Sequence, residues 1–158
     1  MGGGGKLKLK ARPHDHGRVG SVIKRIHHVG IAVRDLEEAL RFFSGQLGLE
    51  VAEEVVVEEH GMRAAWLEAG NLRIELMEPL GPEGPIARFL EKRGEGVHHV
   101  ALEVEDIASA CEELRRAGAK LVYPEARVSR DGSLYNFVHP KSAHGVLLEL
   151  VQRRAKPI

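Results

Sequence analysis

The sequence predicts an α+β fold in which two tandem βαβββ modules form one cupped, largely antiparallel sheet. Three observations predict it. A histidine doublet followed by an apolar run occurs as Ile26-His27-His28-Val29-Gly30-Ile31-Ala32-Val33 and again as Val97-His98-His99-Val100-Ala101-Leu102-Glu103-Val104. Val33-Arg34-Asp35-Leu36-Glu37-Glu38-Ala39 is answered by Val104-Glu105-Asp106-Ile107-Ala108-Ser109-Ala110, at the 71-residue offset that separates His28 from His99. Near the end of each half, Leu72-Arg73-Ile74-Glu75-Leu76 is matched by Leu147-Leu148-Glu149-Leu150, with Glu75 and Glu149 offset by 74 residues.

Each element follows from its local pattern. Ile26 to Val33 is rich in β-branched residues and reads as a strand. Asp35 is placed to cap a helix that carries Leu36, Ala39, Leu40 and Phe43 on one stripe, with Gly45 and Gly48 expected to end it. Three strands follow at Glu50–Val57, Met62–Glu68 and Leu72–Met77, separated by Gly61 and by Gly70-Asn71. Beyond Pro79-Leu80-Gly81-Pro82, residues Pro85–Lys92 predict a short linking helix. The second half repeats the order: strand Val97–Val104, helix Ile107–Ala117 closed by Gly118, then strands at Lys120–Tyr123, Leu134–Val138 and Gly145–Val151. Segregated helices and short connections favour antiparallel pairing over a doubly wound parallel sheet.

Composition sets the outer bounds. The chain has 158 residues with 43% hydrophobic content, enough for one sizeable core and too short for two ordinary independent domains. Residues 23–152 are expected to form the folded unit, with modules at about 24–80 and 95–152. Residues 1–22, with their Gly2–Gly5 run and alternating lysines, read as a flexible tail, and residues 153–158 form a C-terminal tail. His14 and His16 in the first tail form a weak His-x-His pair. Basic and acidic side chains balance at 23 each, so no bulk field draws the chain to nucleic acid or to an anionic membrane. A single cysteine, Cys111, excludes an intrachain disulfide, and the absence of a long apolar run or a secretory leader makes the cytoplasm the expected location. Cys111 falls on a helix stripe and reads as core.

Strand alternation decides which member of each doublet matters. His99, Ala101 and Glu103 share the face opposite His98, Val100, Leu102 and Val104, and the same count places His28 with Gly30 and Ala32. If the branched face packs on the helix, His28 and His99 point into the concavity, and so do Glu75 and Glu149, whose neighbours Ile74, Leu76, Leu148 and Leu150 take the helix side. Two imidazoles and two carboxylates on one concave surface form a nitrogen and oxygen site for a divalent first-row metal, with open positions for water or substrate. A lone histidine or glutamate here would read as an ordinary sheet residue. Its coincidence in both repeats favours the metal, because such groups are costly to bury without a cation. His27 and His98 read as packing or supporting residues, and Trp66 and Phe89 as packing groups. Lys141 and Ser142, in the polar turn before the Glu149 strand, either belong to a plain surface loop or hold a phosphate or carboxylate of a ligand. His139 and His144 read as turn residues.

From about Ile26 to Gln152 the chain resembles the vicinal oxygen chelate (glyoxalase/bleomycin resistance/dioxygenase) superfamily, and within it the methylmalonyl-CoA epimerases. The resemblance rests on His28-Val29-Gly30-Ile31-Ala32-Val33, Glu75-Leu76-Met77-Glu78-Pro79-Leu80, Gly96-Val97-His98-His99-Val100-Ala101, Phe137-Val138-His139-Pro140-Lys141-Ser142 and Gly145-Val146-Leu147-Leu148-Glu149-Leu150. The His-Pro-Lys-Ser segment and the Pro85-Ile86-Ala87-Arg88-Phe89-Leu90 linker separate this group from the glyoxalases. The resemblance implies His28, Glu75, His99 and Glu149 as metal ligands, a Co²⁺ or Mn²⁺ ion, an acyl-CoA substrate and a homodimer; Zn²⁺ or Ni²⁺ suits the same donors. It implies R/S interconversion of methylmalonyl-CoA through an enediolate-like thioester intermediate; Glu149 is the first choice of base on one face, and the pseudo-twofold axis makes Glu75 the economical choice on the other, ahead of His60 or a bound water. Some members carry Gln at the position of Glu75. Some place a glutamate base three residues after the glycine matching Gly61, where this chain has Ala64. A glyoxalase I-type lyase and a non-catalytic antibiotic-binding protein of the same fold are the alternatives, since the cup alone does not separate them.

Overall fold

A computed structural model of the chain describes residues 23–155. The expected tail over residues 1–22, with His14 and His16, lies outside them, as does the end of the C-terminal tail. The element order is β1 (Ile23–Ala32), α1 (Leu36–Leu40, continued by a π turn over Arg41–Gln46), β2 (Glu50–Val57), β3 (Met62–Ala69), β4 (Leu72–Pro79), α2 (Pro85–Arg93), β5 (Gly96–Val104), α3 (Ile107–Arg116), β6 (Arg127–Val128), β7 (Leu134–Val138) and β8 (Leu148–Gln152).

The eight strands form one mixed sheet in the order β2-β3-β4-β1-β5-β8-β7-β6. β1 pairs parallel with β4, β5 pairs parallel with β8, and the other adjacent pairs are antiparallel. The two modules meet within this chain along β1 and β5, in register from Ile23↔Val104 to Ala32↔Gly96. The repeat is thus a pseudo-twofold about the β1–β5 seam.

The helices start where their caps dictate. The Asp35 side chain accepts from the Glu38 N–H and the Asp106 side chain from the Ser109 N–H, so both copies of the motif use an aspartate cap. α1 packs Leu36, Ala39, Leu40 and Phe43 against Val33, Ala65, Leu67, Ile74 and Leu76. α3 packs Ile107, Ala110 and Cys111 against Val104, Val138 and Leu150. These two clusters hold the convex side of the sheet. A third lies on the concave side, where Ile86 and Leu90 of α2 cover Ala32, Ala64 and Met77.

Three expectations are corrected. Gly45 lies inside the π turn, so only Gly48, at φ +76, marks the exit from the helical segment. Lys120–Tyr123 forms no strand: it contributes one bridge, Leu121↔Val138, and the sheet edge is made by Arg127–Val128. The cause lies at Tyr123, whose backbone is bonded to side chains: its N–H donates to Asn136 Oδ1 at 3.1 Å, and its carbonyl accepts from Asn136 Nδ2 and Arg115 Nη2. The last strand begins at Leu148, not Gly145, because residues 140–147 fold into turns with the Gly145 N–H on the Pro140 carbonyl.

The ends of the sheet also meet. Arg130, in the turn between β6 and β7, reaches Glu53 on β2 at 2.5 Å, and the Tyr135 hydroxyl on β7 lies 3.3 Å from His60 Nε2 beside β3. The sheet is curled until its two edges touch across the concavity. Among the described residues no helix is long and apolar enough to cross a membrane.

Candidate metal centre

The register of the four central strands sets the site. On β4-β1-β5, Glu75, Gly30 and His99 lie in one row; on β1-β5-β8, His28, Ala101 and Glu149 lie in the next. Gly30 and Ala101 are pseudo-equivalent, 71 residues apart, and each stands between a histidine and a glutamate. Neither offers bulk, so the four larger side chains lean over them towards one point. At Gly30 the clearance is complete: an added Cβ would stand 2.2 Å from His99 Cε1 and 2.5 Å from Nδ1.

His28 is 3% exposed, His99 4% and Glu75 7%. His28 Nε2 and His99 Nε2 are 2.9 Å apart, and each lies 3.1 Å from Glu149 Oε2. Glu75 Oε1 stands slightly further out, 3.6 Å from His99 Nε2 and 4.0 Å from His28 Nε2. The compact trio of potential ligands is therefore His28, His99 and Glu149, with Glu75 facing it.

Protonation follows from the surroundings. Burial and the neighbouring inner imidazole push His27 and His98 down to about 4, so both are neutral at physiological pH. Their Nδ1 atoms lie 2.7 Å and 2.9 Å from Nδ1 of His28 and His99. A neutral outer imidazole can accept there from an inner Nδ1–H, the tautomer that would turn both inner Nε2 lone pairs towards a cation at the centre. Burial alone would raise the Glu149 carboxyl, but the two facing imidazoles outweigh it and hold that carboxyl well below the usual range. Burial dominates at Glu75 and raises it, against the pull of His99 and His28. At His99 burial is outweighed by Glu149 and Glu75, which raise it.

The donor set fits a divalent cation. Bonds of about 2.1 Å at right angles place neighbouring ligand atoms about 3 Å apart, as the trio is spaced. When both Nε2 atoms donate to the carboxylate oxygen they face each other at 2.9 Å with no bond between them, and a cation at that point would take all three atoms as ligands.

The remaining residues take the following places. Ala64 is fully buried under α2, so no base acts from that position. Lys141 and Ser142 are exposed on the turn Pro140–Ser142, where Ser142 Oγ accepts from the Lys120 N–H at 2.9 Å and keeps its own hydroxyl proton to donate. The His139 side chain accepts from the Lys141 N–H, and His144 has φ +53, so both serve the turn. Cys111 is buried, and burial raises its thiol, consistent with a core role. Trp66 and Phe89 were expected only to pack. Trp66 meets the His28 ring edge-on at 4.8 Å, and Phe89 meets His98 at 5.1 Å. Phe137 flanks His99 at 6.1 Å. The register pair Trp66↔Glu75 is the signal that would have placed Trp66 on the cup wall.

A cavity of about 410 Å³ opens on His98 and His99, between α2 and residues 140–147. Of the four central residues His99 alone lines it.

Residues 27–137 match the Glyoxalase/Bleomycin resistance protein/Dioxygenase superfamily. The ethylmalonyl-CoA/methylmalonyl-CoA epimerase of Cereibacter sphaeroides is 41% identical over 133 residues, covering 83% of this chain and 99% of that protein. The crystal structure of methylmalonyl-CoA epimerase from Mycobacterium tuberculosis matches with a TM-score of 0.80 and 39% identity, covering 89% of this chain and 95% of that one. Streptomyces coelicolor methylmalonyl-CoA epimerase in complex with 2-nitronate-propionyl-CoA matches with a TM-score of 0.80 and 36% identity over 85% of this chain and all of that one. Sequence and fold agree, and the chain belongs to the glyoxalase/bleomycin resistance protein/dioxygenase superfamily, in its methylmalonyl-CoA epimerase family.

Proposed function

We propose that this chain interconverts the R and S epimers of methylmalonyl-CoA by moving the proton next to the thioester. The observation that carries the reading is the pair of pseudo-equivalent carboxylates, Glu75 and Glu149, both within 4.0 Å of the same two buried imidazoles. Inversion at carbon needs a proton removed from one face and returned on the other, and two related halves supply a proton carrier on each. Glu149, held ionised by its imidazole partners, takes the proton from one face. Glu75, whose carboxyl burial raises, returns one from the opposite face, and the roles reverse for the other epimer.

His28, His99 and Glu149, with Glu75 beside them, would hold the divalent ion. Once bound, that ion supplies electrostatic stabilisation of the negative charge that develops on the substrate oxygens. Co²⁺ or Mn²⁺ is the proposed occupant, and Zn²⁺ or Ni²⁺ suits the same donors. Trp66 and Phe137 flank the imidazoles and keep water from the carbanion. The proposed working form is a cytoplasmic homodimer.

The test is incubation of metal-loaded protein with one pure epimer of methylmalonyl-CoA, followed chromatographically, beside the glutathione–methylglyoxal adduct as a rival substrate. Appearance of the second epimer supports the reading. Turnover of the adduct alone assigns a glyoxalase-type lyase. Tight binding of an antibiotic such as bleomycin, with neither turnover, assigns a sequestering protein.

A further inference from the structure

The β1–β5 seam is interrupted at both histidine doublets. Ile26 pairs with Leu102 and His28 with Ala101, so His27 is an extra residue on β1; Gly30 pairs with His99 and Ile31 with Val97, so His98 is an extra residue on β5. The two bulges are pseudo-equivalent. His27 stands against Ala101 and Leu102, His98 stands against Gly30 and Ile31, and each of these positions has its counterpart 71 residues away.

In a regular strand successive side chains point to opposite faces, and on that count the outer histidines would leave the cup. A bulge breaks the alternation and re-aims a side chain. Here it brings His27 Nδ1 to 2.7 Å from His28 Nδ1, and His98 Nδ1 to 2.9 Å from His99 Nδ1. The rings of the two pairs stand at 76° and 90° to each other, so they meet through these nitrogens and do not stack. His98 accordingly lines the cavity together with His99, with its ring edge-on to Phe89 of α2 at 5.1 Å.

Two ring nitrogens at that separation share one proton, so one donates and the other accepts. The inner imidazole can offer Nε2 to a cation only when its proton sits on Nδ1, and the outer Nδ1 is the acceptor that selects this tautomer. We propose that His27 and His98 are positioning residues, turned inward by the duplicated bulges. They hold the Nδ1–H tautomer and the ring orientation of His28 and His99, and thereby set the affinity of the centre for a divalent ion. The inference rests on the metal-binding reading of the cup and is independent of the substrate. It accounts for a doublet in each half, where ligation alone needs one histidine.

The test uses Zn²⁺ as the probe, titrated calorimetrically into the metal-free full chain. His27→Phe and His98→Phe keep a ring of similar size without the acceptor, whereas His27→Asn and His98→Asn place an amide oxygen near the lost Nδ1. Each Phe variant is expected to bind Zn²⁺ about tenfold or more weakly, and each Asn variant within about threefold of wild type. Wild-type affinity in the Phe variants, or equal losses in Phe and Asn, overturns the proposal. Where one Phe variant fails to fold, its pseudo-equivalent in the other half supplies the same measurement. Histidine nitrogen NMR of the metal-free wild type reads the proton directly. Protonated Nδ1 on His28 and His99 supports the assignment, and Nδ1 protonated on His27 and His98 instead overturns it. The variant pattern supports the proposal even where the wild type epimerises nothing, and a wild type that binds no Zn²⁺ overturns the metal reading and this proposal with it.

Discussion

Gly30 shapes the site without contributing a functional group. The His99 ring lies where a Cβ at position 30 would be, with the nearest ring atom 2.2 Å away. Gly30→Ala is therefore expected to displace His99, cost about 1–3 kcal/mol of stability as overpacking does, and weaken divalent-metal affinity at least about tenfold. Denaturant unfolding and metal titration of the same variant check both effects. Wild-type metal affinity in Gly30→Ala would show that the ring position is not set there. The outer histidines give a second prediction. His27 and His98 are lowered to about 4, so between that pH and the ordinary histidine value the folded metal-free protein binds fewer protons than the unfolded chain, and their effect makes stability rise with pH. His99, raised by Glu149 and Glu75, acts in the opposite sense: its contribution is present in acid and lost as pH rises. His98→Gln should accordingly flatten the loss of stability between pH 6.5 and 4.5, measured by urea unfolding of the apo-protein, and an unchanged slope contradicts the assignment. Parity along single strands was enough to single out His28, His99, Glu75 and Glu149 in the sequence. Gly30 and Trp66 were not legible, because their importance comes from neighbours across the sheet, which a single strand does not encode.

At the scale of elements, α2 is the part most underestimated by the sequence pattern. Read as a linker, it seals the concave face with Ile86 and Leu90 and presents a cationic wall on its other side. Leu90, 8% exposed, packs beside Ala32 and Met77, so Leu90→Ala is expected to cost about 2–5 kcal/mol in thermal or denaturant unfolding. A loss below about 1 kcal/mol would mean that α2 is not part of the core. The seam between the sheet edges belongs to the other extreme. The Glu53–Arg130 pair is exposed, and a double-mutant cycle is expected to give about 0–1 kcal/mol. The missing strand at Lys120–Tyr123 shows why edges are hard to read: Tyr123 sits in a β-rich run, yet Asn136 and Arg115 occupy its backbone groups. Both helix caps, by contrast, were legible because Asp35 and Asp106 act on residues three positions ahead.

For the molecule as a whole, duplication is what makes the site. Neither module holds it: His28 and Glu75 come from one, His99 and Glu149 from the other, and β1–β5 pairing brings them together. A fragment ending at Gly94 would leave β1 as an unpaired edge and bury only half the polar cluster, so it is expected to be unfolded or self-associated by circular dichroism and sedimentation. The repeat was legible as matched motifs at a constant offset, and the fold class followed from it. Curling of the sheet until Arg130 meets Glu53 was not legible, since it depends on accumulated strand twist rather than on any local pattern.

A proton-transfer centre built jointly by the two modules and dependent on a metal is visible by nuclear magnetic resonance of methylmalonyl-CoA in D₂O with metal-loaded protein, at the proton next to the thioester. Deuterium is expected to replace this proton as the epimers equilibrate, chelation of the metal to stop the exchange, and Glu149→Gln to slow it by about 10²-fold or more. Retention of the proton with the metal-loaded wild type, or an undiminished exchange rate in Glu149→Gln, would contradict such a centre.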